Sequence, residues 1–295
     1  MPEFEETLAE HGIEYDIANI EQQLTEAQLS EILNKYDGIL AGDDELTAEV
    51  IQSAPRLKVI SKWGIGTDNI DTEAATNAGV TVTNTPDLLG PEVADVVIGY
   101  AVMLTRDLHK VDREVRNGNW FTPRGESLLD MTVGIVGVGD IGSQVTHRFN
   151  AFGTDLIGYD IEPVEDDLKT QTGIERVSLQ ELLSKADMIS LNCPLTEETS
   201  EMIGKDALDR LGEDGYLINT SRGKIVDQDA LISALQNEEI AGAALDVYEK
   251  EPLPSENQLT DLENVVLGTH NAQNTHQAVS RVNEKAVHNL IDGII

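Results

Sequence analysis

The chain has 295 residues and a mass of 32.1 kDa, with 40% hydrophobic and 25% charged residues. This composition suits a globular protein of two compact domains and excludes wholesale disorder. The 54 Asp and Glu residues far outnumber the 20 Lys and Arg residues, which gives a formal net charge of −34. Such a chain repels nucleic acid and anionic membranes, so we expect neither as a partner.

The acidic residues are spread along the whole chain, a pattern that favours a protein from a salt-accumulating cytoplasm over an ordinary acidic protein. At ~1 M salt the Debye length is about 3 Å, so repulsion among the acids is screened. The sequence contains no apolar run of the ~20 residues that span a bilayer, and its acidic N-terminus differs from a signal peptide. A single cysteine excludes an internal disulfide framework and a cysteine-based zinc cluster. We therefore expect a cytoplasmic protein without a metal centre.

The first part of the chain alternates helical patterns with short apolar runs, which is typical of a parallel α/β sheet. Gly38 and Gly79 follow predicted helix ends, where a left-handed cap favours glycine. The predicted helices are residues 3–10, 26–35, 47–53 and 71–77, and the predicted strands are residues 38–41, 57–60 and 80–83.

A long helix is predicted over residues 91–117, with Pro91 in its first turn. A second α/β series follows, with strands predicted at residues 132–136, 155–159, 188–191, 216–219, 242–245 and 265–267. A last helix, predicted over residues 275–291, comes after this series has ended. We expect that helix to return to the first domain. The predicted domains are therefore residues 1–90 plus 272–295, which form a discontinuous unit, and residues 91–271.

The sequence GVGDIG at residues 137–142 follows a predicted strand and precedes a predicted helix. In that setting the glycines allow a tight turn, close approach of the backbone to a pyrophosphate, and packing of helix on strand. The N–H groups of the helix N-terminus then face the phosphates. The next strand leads to Asp160, whose carboxylate can accept both ribose hydroxyls and would repel a 2′-phosphate. The sequence therefore predicts NAD as cofactor, the alternative being a structural turn and a surface aspartate.

Arg222, Glu251 and His270 lie in three segments that follow predicted strands, at the end of the sheet where α/β proteins bind ligands. An arginine fork can grip a carboxylate at two points. Histidine exchanges a proton near neutral pH, and a neighbouring glutamate orients its ring and stabilises its protonated form. Beside a nicotinamide these groups suit oxidation of a 2-hydroxy acid to a 2-oxo acid. A salt-bridged interior cluster is the alternative interpretation.

The chain resembles the D-isomer-specific 2-hydroxyacid dehydrogenases, of the branch that includes D-3-phosphoglycerate dehydrogenase. The resemblance extends over about residues 13–294 and is carried by KWGIGTDNID at 62–71, by 137–142 with Asp160, by 219–223 with Val226 and Asp227, and by 246–270. It implies two doubly wound parallel-sheet domains, a Rossmann NAD-binding domain inserted in a flavodoxin-like substrate domain. It also implies a homodimer built largely through the NAD-binding domain, with the helix after Pro91 contributing.

The resemblance further implies the roles of individual residues. Arg222 would hold the carboxylate and the keto oxygen of the substrate, and the backbone of Gly64 and Ile65 would bind the carboxylate. His270, paired with Glu251, would be the general base in oxidation and the general acid in reduction. The residues implied at the cofactor are Gly137, Gly139, Asp140, Ile141 and Gly142 at the pyrophosphate turn, Asp160 at the ribose, and Cys193, Thr220 and Asp246 near the nicotinamide, with Thr85 and Thr199 as weaker candidates.

The chain departs from the family in three places. The family usually begins with a strand, whereas this chain starts in a predicted helix, so we expect a misassigned start codon or a truncated gene. A native mass near 32.1 kDa would contradict that expectation. Thr269 stands before His270 where many relatives have proline. Lys62 and Trp63 are unusual beside Gly64, and for Trp63 both a pocket-shaping role and core packing stay open.

Two alternatives to a dehydrogenase stay open at this point. One is a non-catalytic NAD(H)-sensing protein, like the corepressors that share this fold, and the other is a truncated inactive paralogue. Turnover separates the enzyme from both, and tight NADH binding without turnover separates the sensor from the paralogue. The sequence does not specify the substrate, because phosphoglycerate, glycerate, glyoxylate, lactate and bulkier acids all suit the same three residues.

Overall fold

The computed structural model describes residues 4–19 and 23–295 of the chain. The chain divides into two compact units, Met1–Leu88 with Thr275–Ile295, and Leu89–Asn274. The junctions therefore fall between Leu88 and Leu89 and between Asn274 and Thr275. None of the helices in the described residues combines the length and the apolar character that a bilayer crossing requires.

The smaller unit is built on a parallel sheet. Its described helices are α1 (Glu5–Glu10), α2 (Glu26–Ile32), α3 (Ala48–Gln52), α4 (Thr72–Asn77) and α12 (His276–Ile294), and its strands are β1 (Gly38–Ala41), β2 (Val59–Lys62) and β3 (Thr81–Thr83). The strands pair in the order β1-β2-β3. Helix α12 packs closely on the sheet, since a Cβ added to Gly293 would lie 2.5 Å from Val59 Cβ.

Several predictions for the smaller unit are wrong in detail. Gly38 is not a helix cap but lies in β1, where an added Cβ would be 2.8 Å from Leu290 Cδ1 on α12. Gly79 has the expected positive φ of 74°. Strand β2 begins two residues later than predicted, because Leu57 closes a turn by donating its N–H to Ala54 O. The helix predicted over 26–35 ends in a 3₁₀ turn from Leu33, and Glu3 lies outside the described residues.

The larger unit holds a seven-stranded parallel sheet with helices on both faces. Its strands are β4 (Thr132–Val136), β5 (Asp155–Tyr159), β6 (Glu175–Arg176), β7 (Met188–Leu191), β8 (Tyr216–Asn219), β9 (Gly242–Leu245) and β10 (Val265–Leu267). Its helices are α5 (Gly90–Thr105), α6 (Leu108–Arg116), α7 (Asp140–Phe152), α8 (Asp166–Thr172), α9 (Leu179–Lys185), α10 (Lys205–Leu211) and α11 (Gln228–Gln236). The strand order is β10-β9-β8-β7-β4-β5-β6, and the parallel sheets confirm the predicted α/β class.

The core of the larger unit fills both faces of this sheet. Val97 of α5 and Phe149 of α7 are fully buried in one apolar cluster. Leu182 of α9, Leu208 of α10 and Leu235 of α11 belong to a second cluster. Because β4 and β7 are covered on both faces, their residues are almost continuously apolar, which is why the sequence marks them so clearly.

The six strands predicted for the larger unit are confirmed with their predicted bounds, whereas the two-residue β6 was missed. The single helix predicted over 91–117 is wrong. It breaks into α5 and α6 at Arg106 and Asp107, where Asp107 has a φ of 50°. The break coincides with a tertiary contact, since Glu126 N–H donates to Thr105 O at 2.8 Å. That contact takes a carbonyl that a continuous helix would use.

Candidate active site

Polar residues gather where the parallel strands of the larger sheet end. The strand order reverses at β4, and such a switch point opens a ligand crevice outside the carboxyl ends of the strands. Following those ends are residues 137–142 after β4, Asp160 after β5, Cys193 after β7, Thr220 and Arg222 after β8, Asp246 and Glu251 after β9, and His270 after β10. The structure therefore brings the site residues predicted for this unit to one edge of one sheet.

The glycine turn after β4 fits a dinucleotide. Gly137 has a φ of 84°, and a Cβ there would lie 2.6 Å from Cys193 N. A Cβ on Gly142 would lie 1.9 Å from Gly137 O. Helix α7 can therefore approach the end of β4 this closely only because residue 142 has no side chain. Apart from its chain neighbours, no heavy atom of the described residues lies within 4 Å of a Cβ added to Gly139. Protein packing thus explains two of the glycines and leaves open space over Gly139, where a phosphate could approach the backbone.

The first turn of α7 completes this cradle. Ser143 N–H donates to Gly139 O, whereas the structure gives the N–H groups of Ile141 and Gly142 no acceptor among the described residues. The Asp140 carboxylate is turned away toward α5, since a Cβ on Gly90 would be 2.9 Å from Asp140 Oδ1. The turn can therefore offer backbone N–H groups to a pyrophosphate without presenting it with the carboxylate.

A substitution at Gly142 should weaken cofactor binding. We expect Gly142→Ala to weaken NADH binding by about fivefold or more, because overpacking of this kind costs about 1–3 kcal/mol. Gly99→Ala in α5 is the matched control, since a Cβ there meets no heavy atom within 4 Å among the described residues outside its own helix backbone. Fluorescence titration with NADH measures both affinities. Wild-type affinity in the Gly142 variant would show that the close approach is dispensable.

Asp160 lies beside the turn and can face a ribose. Its Oδ2 accepts Val138 N–H at 2.7 Å, and its Oδ1 accepts Glu162 N–H at 2.9 Å. Each carboxylate oxygen keeps further lone-pair capacity, which two ribose hydroxyls could use. The Arg176 guanidinium donates to Asp160 O at 2.9 Å and steadies this loop. Nothing in the sequence pattern marked Arg176, because β6 is too short to show a periodicity.

The remaining cofactor candidates have different surroundings. Burial raises the pKa of the Cys193 thiol to about 11, so it stays protonated and unreactive at neutral pH. Thr220 follows β8 and is half-buried. Thr199 is engaged locally, donating its hydroxyl to Pro194 O at 2.7 Å. Thr85 belongs to the smaller unit, where it holds Gly64.

His270 and Glu251 form a direct pair. His270 Nδ1 lies 2.7 Å from Glu251 Oε2, with both side chains about one-fifth exposed. The other oxygen of Glu251, Oε1, accepts Tyr248 N–H at 2.9 Å, so the carboxylate is fixed from two sides. With a proton on Nδ1 facing Glu251, Nε2 is the ring nitrogen that can exchange a proton with a ligand.

The backbone of His270 is held in an unusual conformation. Its φ is 55°, which costs a non-glycine residue roughly 1–2 kcal/mol. His270 N–H donates to Asp246 O at 2.7 Å, and Gln273 donates to His270 O at 3.1 Å. The Asp246 carboxylate is itself buried and accepts Ala272 N–H at 2.8 Å. The loop after β10 therefore presents the histidine in a conformation that the surrounding hydrogen bonds maintain.

Arg222 is positioned by the end of β8. The buried Asn219 donates its amide to Arg222 O at 2.9 Å and accepts Ser221 N–H at 3.1 Å. A Cβ on Gly223 would lie 1.9 Å from the carbonyl carbon of Tyr248, so the two backbone segments touch. Asn219 and Tyr248 lie inside the sequence blocks that mark the family, yet no sequence pattern indicates these positioning roles.

In the smaller unit, Gly64 and Ile65 form a loop after β2, here called the 64–65 loop. Gly64 has a φ of 115°, and its N–H donates to Thr85 Oγ1 at 3.0 Å. The structure gives Ile65 N–H no acceptor among the described residues. Of the two predicted carboxylate-binding amides, only the one of Ile65 is therefore available without rearrangement.

Lys62 and Trp63, which precede the 64–65 loop, have internal partners. The Lys62 ammonium is buried and donates to Gly42 O at 2.5 Å, to Trp63 O at 3.2 Å and to Asp43 Oδ1 at 3.1 Å. The Trp63 indole donates to Asn283 Oδ1 at 2.8 Å. Lys62 thus acts within the fold, and its charge is balanced by a neighbouring carboxylate.

A parallel sheet of this topology, with a glycine turn after β4 and a histidine hydrogen-bonded to a glutamate at the same edge, is typical of an NAD-dependent oxidoreductase. Comparisons with known proteins then give the family. The profile of the D-isomer specific 2-hydroxyacid dehydrogenase NAD-binding domain matches residues 98–272. The chain is 42% identical over 254 residues to a glyoxylate reductase of Korarchaeum cryptofilum, covering 84% of this chain and 76% of the relative. The chain belongs to the D-isomer specific 2-hydroxyacid dehydrogenase family.

Two further relatives agree with this assignment. A D-3-phosphoglycerate dehydrogenase of Methanocaldococcus jannaschii is 36% identical over 259 residues, covering 86% of this chain and 49% of the relative. The crystal structure of a D-lactate dehydrogenase from Aquifex aeolicus, complexed with NAD and lactic acid, superimposes with a TM-score of 0.87. It is 29% identical and covers 97% of this chain and 91% of that one. The prediction of an NAD-dependent D-2-hydroxyacid dehydrogenase is confirmed.

Proposed function

We propose that Arg222, Glu251 and His270 are the catalytic residues of this dehydrogenase. The observation that carries the proposal is the 2.7 Å contact between His270 Nδ1 and Glu251 Oε2 at the ligand edge of the NAD-binding sheet. Arg222 follows a neighbouring strand at the same edge and offers a cationic fork. Within this proposal the larger unit binds the cofactor and the smaller unit contributes to the substrate.

The chemistry of the three side chains follows from their contacts. In reduction, protonated His270 gives its Nε2 proton to the keto oxygen of the substrate, and in oxidation the neutral ring takes that proton back. Glu251 stabilises the protonated ring and keeps Nδ1 occupied. Arg222 binds the substrate carboxylate and polarises the keto oxygen. In the smaller unit, Ile65 N–H is a donor of the kind that binds a carboxylate. The cofactor, when bound, would supply the hydride as NADH in reduction and accept it as NAD⁺ in oxidation.

The cofactor turn supports the same proposal. Gly137 and Gly142 shape the turn, Gly139 leaves space above it, and Ile141 N–H lies in the first turn of α7. Asp160 takes the ribose hydroxyls, which favours NAD over a cofactor with a 2′-phosphate.

We further propose that the substrate is a small 2-oxo acid without a second anionic group, such as glyoxylate. Several relatives are named glyoxylate reductase. In the smaller unit, the cation beside the 64–65 loop is Lys62, and its ammonium is already engaged by two carbonyls and by Asp43. The Lys62 ammonium would have to give up one of these hydrogen bonds in order to bind a substrate phosphate.

A matched pair of substrates tests this proposal. Hydroxypyruvate and phosphohydroxypyruvate differ only in the phosphate. We expect glyoxylate and hydroxypyruvate to be reduced with a kcat/KM at least roughly tenfold above that of phosphohydroxypyruvate, which is the size of one missing charged contact. NADH consumption at high KCl measures all three. A preference for the phosphorylated acid would overturn the proposed substrate class.

We also propose that the protein works in a salt-rich cytoplasm. Pairing each of the 20 basic residues with one acid would still leave 54 − 20 = 34 acids unneutralised. We expect the melting temperature to rise between about 0.1 and 2 M KCl, because the Debye length falls from about 10 Å to below 3 Å. Sucrose at matched osmolality, which screens no charge, is the control. An equal rise in sucrose, or none in KCl, would contradict the proposal.

The larger unit presents an apolar surface that we assign to a second copy of the chain. Helix α6 has no buried residue, and Trp120 and Phe121 beyond it are 88% and 41% exposed. We expect a homodimer by light scattering in molar KCl, and a monomer when Trp120→Glu places a charge in that surface. Ile17→Glu, at an exposed apolar position of the smaller unit, should stay dimeric. A dimer that survives Trp120→Glu would place the interface elsewhere.

A further inference from the structure

Asp246 connects the loop that carries His270 to the sheet by hydrogen bonds. It directly follows β9 and is 1% exposed. Its carbonyl accepts His270 N–H at 2.7 Å, and its Oδ2 accepts Ala272 N–H at 2.8 Å. One residue thus holds the backbone of the proposed acid–base residue from two sides of its left-handed turn.

The second carboxylate oxygen of Asp246 is held by a helix far away in sequence. Tyr100 of α5 is 8% exposed, and its hydroxyl donates to Asp246 Oδ1 at 3.2 Å. Burial, followed by the Asp246 charge, raises the pKa of Tyr100, so the phenol keeps its proton and remains a donor. The contact is tightly enclosed, since a Cβ on Gly268 would lie 2.2 Å from both Tyr100 Oη and Asp246 Oδ1.

A carboxylate held at both oxygens behaves differently from one held at a single oxygen. The terminal torsion of aspartate is broad, so a single hydrogen bond leaves the group free to rotate. With Tyr100 on Oδ1, the other oxygen stays aimed at Ala272 N–H. The nearby Tyr248 does not share this task, because its hydroxyl donates to Leu245 O and Gly268 O.

We propose that Tyr100 is a positioning residue of the dehydrogenase, which orients the Asp246 carboxylate and through it fixes the loop that presents His270. The activity part of this proposal rests on the proposed catalytic role of His270. The structural part does not, and it can be measured in the protein without ligands.

Tyr100→Phe tests the proposal by removing one oxygen from a buried ring. Amide hydrogen exchange of the peptide spanning residues 268–274 should become about fivefold faster in the unliganded protein, the size expected for loss of one hydrogen bond. In glyoxylate reduction, kcat should fall about fivefold while KM for glyoxylate, which Arg222 dominates, stays within about twofold. Tyr216→Phe is the matched control, at a half-buried tyrosine at the start of β8, and should leave both readouts unchanged.

Two further variants test whether Tyr100→Phe acts through Asp246 or through a general loss of packing. In an Asp246→Asn background, Tyr100→Phe should produce little further change, because coupled residues are not additive. Gly268→Ala, which pushes the same two side chains apart, should reproduce the faster exchange. Wild-type exchange in Tyr100→Phe, or effects that add fully to those of Asp246→Asn, would overturn the proposal. If the wild-type protein turns over no 2-oxo acid, the proposed function fails, whereas the exchange measurement still decides the role of Tyr100.

Discussion

His270→Gln should lower kcat for 2-oxo acid reduction by about 10³-fold, within the range that positioned acid–base groups usually contribute. Glutamine keeps much of the volume of the ring but cannot deliver a proton to the keto oxygen. The dissociation constant for NADH should stay at its wild-type value, because the glycine turn and Asp160 lie after β4 and β5 and do not involve His270. Steady-state kinetics and fluorescence titration measure the two quantities separately.

His288→Gln is the matched control for that result. His288 is an exposed residue of α12, where its Nδ1 lies 2.7 Å from Glu284 O within its own helix. We expect wild-type kinetics from this variant. The kcat of Glu251→Gln should lie between those of the His270→Gln and His288→Gln variants. Glutamine keeps a hydrogen-bonding side chain but loses the charge that stabilises protonated His270. A His270→Gln enzyme that retains more than about one-tenth of its kcat would remove His270 from the proton transfer.

Arg222→Lys should lower kcat/KM for the 2-oxo acid by about 100-fold. Lysine preserves the positive charge but has no planar fork, so one of two charged hydrogen bonds to the substrate is lost, at a cost of about 1.5–3 kcal/mol. Most of the loss should appear in KM, because the carboxylate is bound both before and during hydride transfer. The smaller part in kcat reports the contact to the keto oxygen, where charge changes during the reaction.

The control for Arg222 is Arg210→Lys on α10, an exposed position at the end of that helix. It should leave kcat/KM unchanged. Asn219→Ala should lower kcat/KM less than Arg222→Lys does. It removes the hydrogen bond that holds the Arg222 backbone, but the protein keeps the guanidinium group. If Arg222→Lys keeps kcat/KM within about threefold of wild type, bidentate binding of the carboxylate by this residue is wrong.

Six strands of the larger unit could be predicted because they are short, largely buried and bounded by polar or glycine residues, whereas the exposed two-residue β6 could not. The break between α5 and α6 could not, because Arg106 and Asp107 are ordinary helix residues locally. The break coincides with the contact of Thr105 O with Glu126 N–H, about twenty residues further along the chain. The shift of β2 has a local origin instead, in the turn that Leu57 N–H closes by donating to Ala54 O.

The residues of the site likewise include some that could be predicted from the sequence and some that could not. Residues that directly follow strands, such as Asp160, Arg222 and His270, could be placed at one edge of the sheet from sequence order alone. Partners brought together by tertiary folding could not, as with Tyr100 and Asp246, which lie 146 positions apart. The 64–65 loop is a further example, because no sequence pattern indicates that Thr85 Oγ1 accepts the Gly64 N–H.

Identification of the reaction product tests the proposed activity most directly. The purified protein is incubated with NADH and hydroxypyruvate in molar KCl, and the glycerate formed is resolved by chiral chromatography. We predict one mole of D-glycerate for each mole of NADH oxidised, with none of the L enantiomer, and glycerate formation about 10³-fold slower in the His270→Gln variant. Tight NADH binding without any glycerate, or formation of the L enantiomer, would contradict the assignment of this chain as a D-specific 2-hydroxyacid dehydrogenase.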